Sequence, residues 1–75
     1  MADFYLFGTE ACHLCEEAEA VLLQQGIEFK FQDIMENEEW LQKYALKIPV
    51  LLHIGSQQQL DWPFDGQKVQ SFYGL

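Results

Sequence analysis

The chain contains only two cysteines, and they close the stretch Thr9-Glu10-Ala11-Cys12-His13-Leu14-Cys15, which joins an apolar run to an amphipathic one. On the first turn of a helix, positions i and i+3 share a face. A strand feeding a helix at this point therefore brings both thiols to the helix N-terminus. The free N–H groups and the positive dipole end found there stabilise a thiolate, the nucleophile of disulfide exchange. Cys12, at the exposed start, is then the attacking thiol, and Cys15, one turn deeper, resolves the mixed disulfide. The placement predicts a Cys12 pKa below the ordinary value of about 8.5. A protonated His13 would lower it further, and Glu10, Glu16 and Glu17 oppose the drop.

Two plainer uses of the cysteines compete with this one. As a structural staple, the pair closes so short a loop that chain entropy contributes only roughly 2 kcal/mol before strain is subtracted. As a zinc site, it lacks a second paired motif, since the other candidate ligands are His13 and His53, without His-X3-5-His spacing. Dithiol chemistry is the better reading, with no metal and no cofactor expected. The segment Met1 to Gly8 has no basic leader-like stretch and no run approaches membrane-spanning length, so a soluble, cytoplasmic protein is expected. In a reducing cytosol a lone close pair serves better as a redox couple than as a staple.

Seventy-five residues, 49% of them hydrophobic, suffice for one small domain over 1–75 that packs a core near the lower size limit. Twelve acidic residues stand against four lysines and no arginine, a formal charge of −8. Nucleic acid is excluded as a partner by this balance, because binding it depends on cationic contacts to phosphate. Solubility is the simplest account of the charge, and steering toward a basic partner is the other.

Along the chain, Asp3 to Phe7 carries apolar or aromatic residues on both faces, the pattern of a central strand buried on each side. Gly8 to Ala11 breaks the run. From Cys12 the apolar positions Leu14, Cys15, Ala18, Val21 and Leu22 follow helical spacing, and Gly26 supplies a left-handed cap. Ile27 to Gln32 alternates and predicts a strand nearer the sheet edge. Strand, helix and strand in this length form a βαβ unit with parallel strands. A second helix is expected from Glu36 or Asn37 to about Leu46, with an acidic first turn and Trp40, Leu41, Tyr44 and Ala45 on one side. Ile48 to Ile54 predicts a third strand, Gly55 to Gln57 a turn, and Gln58 to Trp62 a fourth strand paired as a hairpin. A short last helix runs from Asp65 as N-cap through Val69, Phe72 and Tyr73.

The order β-α-β-α-β-β-α with Cys-X-X-Cys opening the first helix resembles that of glutaredoxins, which share the minimal thioredoxin fold. Three tracts carry the likeness: Gly8 to Cys15, Tyr44 to Leu52 with its Ile48-Pro49-Val50 core, and Trp62-Pro63-Phe64-Asp65. In particular the chain resembles a family of short, largely bacterial glutaredoxin-like proteins, over nearly its whole length. The resemblance implies an α/β fold with a four-stranded mixed sheet in the order 2-1-3-4, flanked by helices. It further implies that Pro49 is a cis-proline lying against the cysteine pair, which leaves the backbone of Ile48 free to pair with a bound substrate segment.

Departures from the pattern bear on the substrate. Glutathione-using glutaredoxins resemble one another in a Cys-Pro-Tyr-Cys core, a basic residue shortly before it, and a Gly-Gly pair followed by Asp after the third strand. Here the core is Cys-His-Leu-Cys, Glu10 and Ala11 precede it, and Gly55-Ser56-Gln57-Gln58 follows the strand. Each change argues against glutathione capture.

The expected function is thus a dithiol oxidoreductase, a monomer that reduces disulfides in a protein or a low-molecular-weight thiol and draws electrons from a reductase. Cys12 and Cys15 are the catalytic pair. His13, Leu14, Ile48, Pro49 and Trp62 are the candidate substrate contacts. The alternative from another class is a binding or regulatory module of the same fold, holding an iron–sulfur cluster or metal through Cys12. A redox-inactive interaction domain would require both thiols to be inert. His53 reads as a satisfied or surface histidine, and Trp40 and Phe64 as core or rim aromatics.

Overall fold

A computed structural model of the protein describes residues 2–74. Its elements are β1 (Phe4–Gly8), α1 (His13–Gln24), β2 (Lys30–Asp33), a 3₁₀ turn (Ile34–Glu36), α2 (Glu38–Tyr44), β3 (Val50–His53), β4 (Gln58–Asp61) and α3 (Gly66–Tyr73). The sheet has the order β2-β1-β3-β4, as the resemblance implied. β1 pairs parallel with β2 and antiparallel with β3, and β3 forms an antiparallel hairpin with β4.

Alternation along the two central strands divides the core into two layers. Phe4 and Leu6 of β1 and Leu51 of β3 face Ala18 and Leu22 of α1, Val69 of α3, and Ile27 and Phe64. Phe7, Val50 and Leu52 face the other way, against Ile34 and Tyr44. Helices α1 and α3 cover one side and α2 the other, so both faces of β1 and β3 are buried, as their continuous apolar runs require. Tyr44 stacks on Phe7 with ring centroids 4.4 Å apart, and Trp40 meets the same ring edge-on at 5.2 Å. Among the described residues no helix is long and apolar enough to cross a membrane.

Element boundaries shift where tertiary pairing overrides local pattern. The second strand begins at Lys30 rather than Ile27, because the register opposes Tyr5 of β1 to Lys30. Ile27 is occupied instead in ending α1: its N–H donates to the Leu22 carbonyl (3.0 Å), and that of Gly26, at φ +70°, donates to Leu23 (3.1 Å). These two bonds and the burial of Ile27 against Leu22 make a Schellman ending. Helix α2 stops at Tyr44, two residues before Leu46, since the N–H groups of Lys47 and Ile48 both turn back to the Tyr44 carbonyl. Pro49 disfavours helical backbone at Ile48, so the chain must leave the helix here. Pro49 also lacks an N–H for the ladder, and β3 starts one residue later, at Val50. The third and fourth strands end earlier than their patterns suggest, at His53 and Asp61, and the 3₁₀ turn has no counterpart in the sequence reading. Of the two starts expected for the second helix, Asn37 is the one that caps it, its Oδ1 accepting from Trp40 N (3.1 Å), and Asp65 caps α3 as expected, its Oδ1 accepting from Lys68 N (2.9 Å).

Candidate functional site

Helix α1 begins with a sulfur in the capping position. Cys12 has extended backbone (φ −107°, ψ 105°), and its Sγ accepts the N–H of Cys15 at 3.1 Å, the bond that a Ser, Asp or Asn oxygen normally makes at a helix start. Cys12 and Cys15 are joined as a disulfide, with Cα atoms 5.2 Å apart. They differ in access: Cys15 is 1% exposed, whereas Cys12 is only half-buried. Any negative charge on Cys12 Sγ lies at the positive end of α1 and receives a backbone N–H, both of which favour the thiolate over the thiol.

The floor beneath the pair is Gly8, the last residue of β1. A β-carbon there would come 2.9 Å from Cys15 Sγ and 3.1 Å from Phe31 Cε1, so only glycine lets the helix start sit this close to the strand. Between them the chain turns through Ala11 at φ 56°, a left-handed conformation that costs an L-residue roughly 1–2 kcal/mol. Sequence inspection offers glycine after an apolar run as a hint of the first feature. It offers nothing for the second, because alanine has no preference for that region.

Strand register gathers the other candidate residues at the same end of the sheet. Phe7, Val50 and Asp61 form one cross-strand row, and Gly8 is opposite Asp33. Pro49 directly precedes Val50 and Trp62 directly follows Asp61, so both leave the sheet at the end where β1 finishes. Ile48–Pro49 is a cis peptide, as the resemblance implied, and Trp62–Pro63 is a second one, which sequence reasoning did not anticipate. Pro49 is fully buried, and Ile48 packs partly buried against the Phe7 and Tyr44 layer. Trp62 packs against the α1 side and meets Phe64 edge-on at 5.0 Å. Leu14, counted in the apolar stripe of the helix, is instead 44% exposed on its first turn.

His13 stands out into solvent from the first turn of α1. Its side chain is 87% exposed and its Nε2 lies 3.7 Å from the Glu17 carboxylate, one turn along α1. His53, at the far end of β3, is satisfied locally, with Nδ1 2.7 Å from Ser56 Oγ. Among the described residues no three His, Cys, Asp or Glu side chains cluster in a way that could hold a metal.

Comparison with known proteins agrees with this geometry. A family model described as Glutaredoxin-like domain (DUF836) matches residues 3–72. The crystal structure of the structural-genomics target protein XcR50 from X. campestris superposes with a TM-score of 0.87 at 29% identity, covering 95% of each chain. A solution structure of XcR50 gives 0.85 at 31% identity, over 99% of this chain and 94% of that one. The solution structure of Ne2328 from Nitrosomonas europaea gives 0.77 at 29% identity, over 93% and 88%. No curated protein matches the chain.

Proposed function

The chain belongs to the glutaredoxin-like domain family, and from that premise we propose that it is a dithiol–disulfide oxidoreductase. The observation that carries the reading is the bonded Cys12–Cys15 pair at the start of α1, with its outer sulfur half-exposed and its inner one buried. In the reduced protein, the Cys12 thiolate attacks one sulfur of a substrate disulfide. A Cys12–substrate bond forms, the substrate S–S bond breaks, and one substrate thiolate leaves. Cys15, having lost its proton, then attacks Cys12 Sγ, displaces the second substrate thiolate and closes the protein disulfide. Two electrons pass from the dithiol to the substrate, and the two protons lost by the cysteines balance the two thiols released. Cys15 N–H, bonded to Cys12 Sγ, steadies that sulfur whenever it carries charge.

Ile48 and Pro49 would flank the bound substrate through backbone pairing, with Leu14 and Trp62 adding apolar contact. Electrons come from a flavoprotein reductase or another protein dithiol rather than from glutathione. Glutathione is a small anion, and here Glu10 stands where a positive charge would help, while no Gly-Gly turn lets the ligand approach the backbone. Such cycling requires a reducing compartment, which is the basis for a cytoplasmic assignment.

Two coupled assays on one disulfide substrate test the reading, one supplied by thioredoxin reductase and the other by glutathione with its reductase. Turnover with the first and little with the second is expected. No exchange under either supply, even by the chemically pre-reduced protein, would refute the oxidoreductase assignment. A brown preparation absorbing in the visible, made without added iron, would favour a cluster-holding module instead.

A further inference from the structure

The segments at the Cys12 end of the sheet carry exposed aliphatic side chains and exposed carboxylates. Of the five large hydrophobic residues that are exposed among those described, three lie in segments that emerge at the Cys12 end of the sheet: Leu14 at 44%, Met35 at 65% and Leu46 at 101%. Leu14 is on the first turn of α1, Met35 directly follows β2, and Leu46 lies in the connection that delivers Pro49. The acidic residues Glu10, Glu16 and Glu17, all exposed, bracket the cysteine pair in the chain.

Most of the positive charge is held elsewhere. Lys30 opposes Tyr5, three rows from Gly8, and Lys43 lines a groove shared with Tyr5, Leu52 and Gln57 of the β3–β4 turn. Lys68 is on the first turn of α3, whose start abuts Gln25 at the opposite end of α1. Lys47 alone sits in a connection at the Cys12 end, and His13 is already beside Glu17.

Building on the oxidoreductase reading, we propose that this surface selects its substrate by charge. The preferred disulfide is carried by a basic polypeptide segment, with lysine or arginine flanking the reactive cysteine and aliphatic side chains that lie against Leu14 and Leu46. Opposite charge raises the encounter rate and holds the segment over Cys12. The attraction fades as the Debye length falls from about 10 Å at 0.1 M to about 3 Å at 1 M salt. The exchange itself is the one described above, with the peptide disulfide as oxidant and the reduced protein as reductant.

Single-turnover rates of the pre-reduced protein, read by acid quench and mass spectrometry, test this on two synthetic peptides. They share length, aliphatic residues and one internal disulfide, and differ only in flanking lysines or glutamates. At low salt the lysine peptide should react about tenfold faster, and the ratio should shrink toward one in high salt. Taking the ratio removes any change in the intrinsic reactivity of Cys12. The double substitution Glu10→Gln with Glu16→Gln should lower it several-fold. An equal change of net charge at the other end, Asp3→Asn with Glu28→Gln, should leave it nearly intact. Equal rates for the two peptides, or equal effects of the two double substitutions, would overturn the proposal while leaving the oxidoreductase reading standing. Failure of wild-type protein to reduce either peptide would remove that reading, and the substrate preference with it.

Discussion

The end of the sheet where β1 begins and the end where it finishes are built differently. At the first, the chain reverses through groups that satisfy one another locally. In the β3–β4 turn, Gln57 N–H reaches the His53 carbonyl (2.8 Å), Gln57 Nε2 reaches that of Ile54 (2.8 Å), and His53 and Ser56 bond through their side chains. Helix α1 ends nearby on Gly26, at φ +70° with open space around it. At the second end, Ala11 takes the same left-handed region without being glycine, and Gly8 lies so close to Cys15 that a β-carbon would collide. Each end thus holds one non-glycine residue in the left-handed region, Gln57 at φ 61° and Ala11 at φ 56°. At the first, the N–H and side chain of Gln57 bond within the turn itself; at the second, the turn is joined to the tight contact of Gly8 with Cys15, and the cysteine pair is there.

The largest expected effect separates the two sulfurs at the working end. Cys12→Ser should abolish disulfide exchange, while Cys15→Ser should leave a long-lived mixed disulfide on Cys12. Serine is itself a preferred helix cap, so the first variant keeps the start of α1 and isolates the loss of the nucleophile. Mass spectrometry after trapping with substrate locates the adduct, and finding it on Cys15 in the reciprocal experiment would reverse the assignment. At the opposite end, Ser56→Ala should cost about 1 kcal/mol at most and leave exchange untouched.

Next in size is packing beneath the pair. Gly8→Ala places a methyl group 2.9 Å from Cys15 Sγ and 3.2 Å from its Cβ, atoms fixed by the helix and the disulfide. Overpacking of this kind costs about 1–3 kcal/mol. Gly55→Ala, in the distant turn, meets nothing nearer than His53 Cε1 at 3.5 Å and should change stability by less than about 0.5 kcal/mol. Urea denaturation of both variants measures the contrast, and equal midpoints would show that the two ends are equally tolerant.

What could be read from the residues follows the same division. The two-sided apolar pattern of Phe4 to Phe7, the cap at Gly26, and Asn37 and Asp65 as helix starts all express rules that act within a few residues. The start of β2 did not, because pairing with β1 leaves Ile27 to Phe29 off the ladder whatever their alternation. Strand order and the Ile48–Pro49 geometry came from resemblance rather than from pattern. The cysteine pair was visible at once, but its setting was not: contact with Gly8 and the turn at Ala11 depend on how a strand and a helix meet in space. Leu14 shows the limit most plainly, since helical spacing alone assigns it to the core, and at 44% exposure it faces outward beside Cys12.

Thiol ionisation tests whether the capping sulfur is tuned by its position. In the reduced protein the Cys15 N–H and the end of α1 should bring the Cys12 alkylation midpoint below the ordinary value of about 8.5. The lowered value means that Cys12 is already partly thiolate at neutral pH and that its reactivity rises to a plateau earlier than that of a free cysteine. Glu10→Gln should lower the midpoint further by removing a neighbouring negative charge. A midpoint at or above that of a free thiol would mean that the helix start contributes nothing.

The smallest effects exchange residues between the two ends. Gly26 and Ala11 sit in the same left-handed region, at φ 70° and 56°. Replacing Gly26 by alanine meets no atom within 4 Å, so the whole cost is backbone, roughly 1 kcal/mol. Ala11→Gly removes a comparable penalty but frees the unfolded chain, which costs about 0.5–1 kcal/mol in return. The net gain should therefore be positive and below about 1 kcal/mol. If that strain serves to hold Cys12 in its capping position, Ala11→Gly should also slow exchange as it stabilises the fold, whereas Gly26→Ala should lower stability with exchange unchanged. Denaturation midpoints and single-turnover rates measured on the same two variants distinguish these outcomes. A gain in stability at Ala11 with no loss of rate would show that the left-handed turn is merely tolerated where the strand meets the helix.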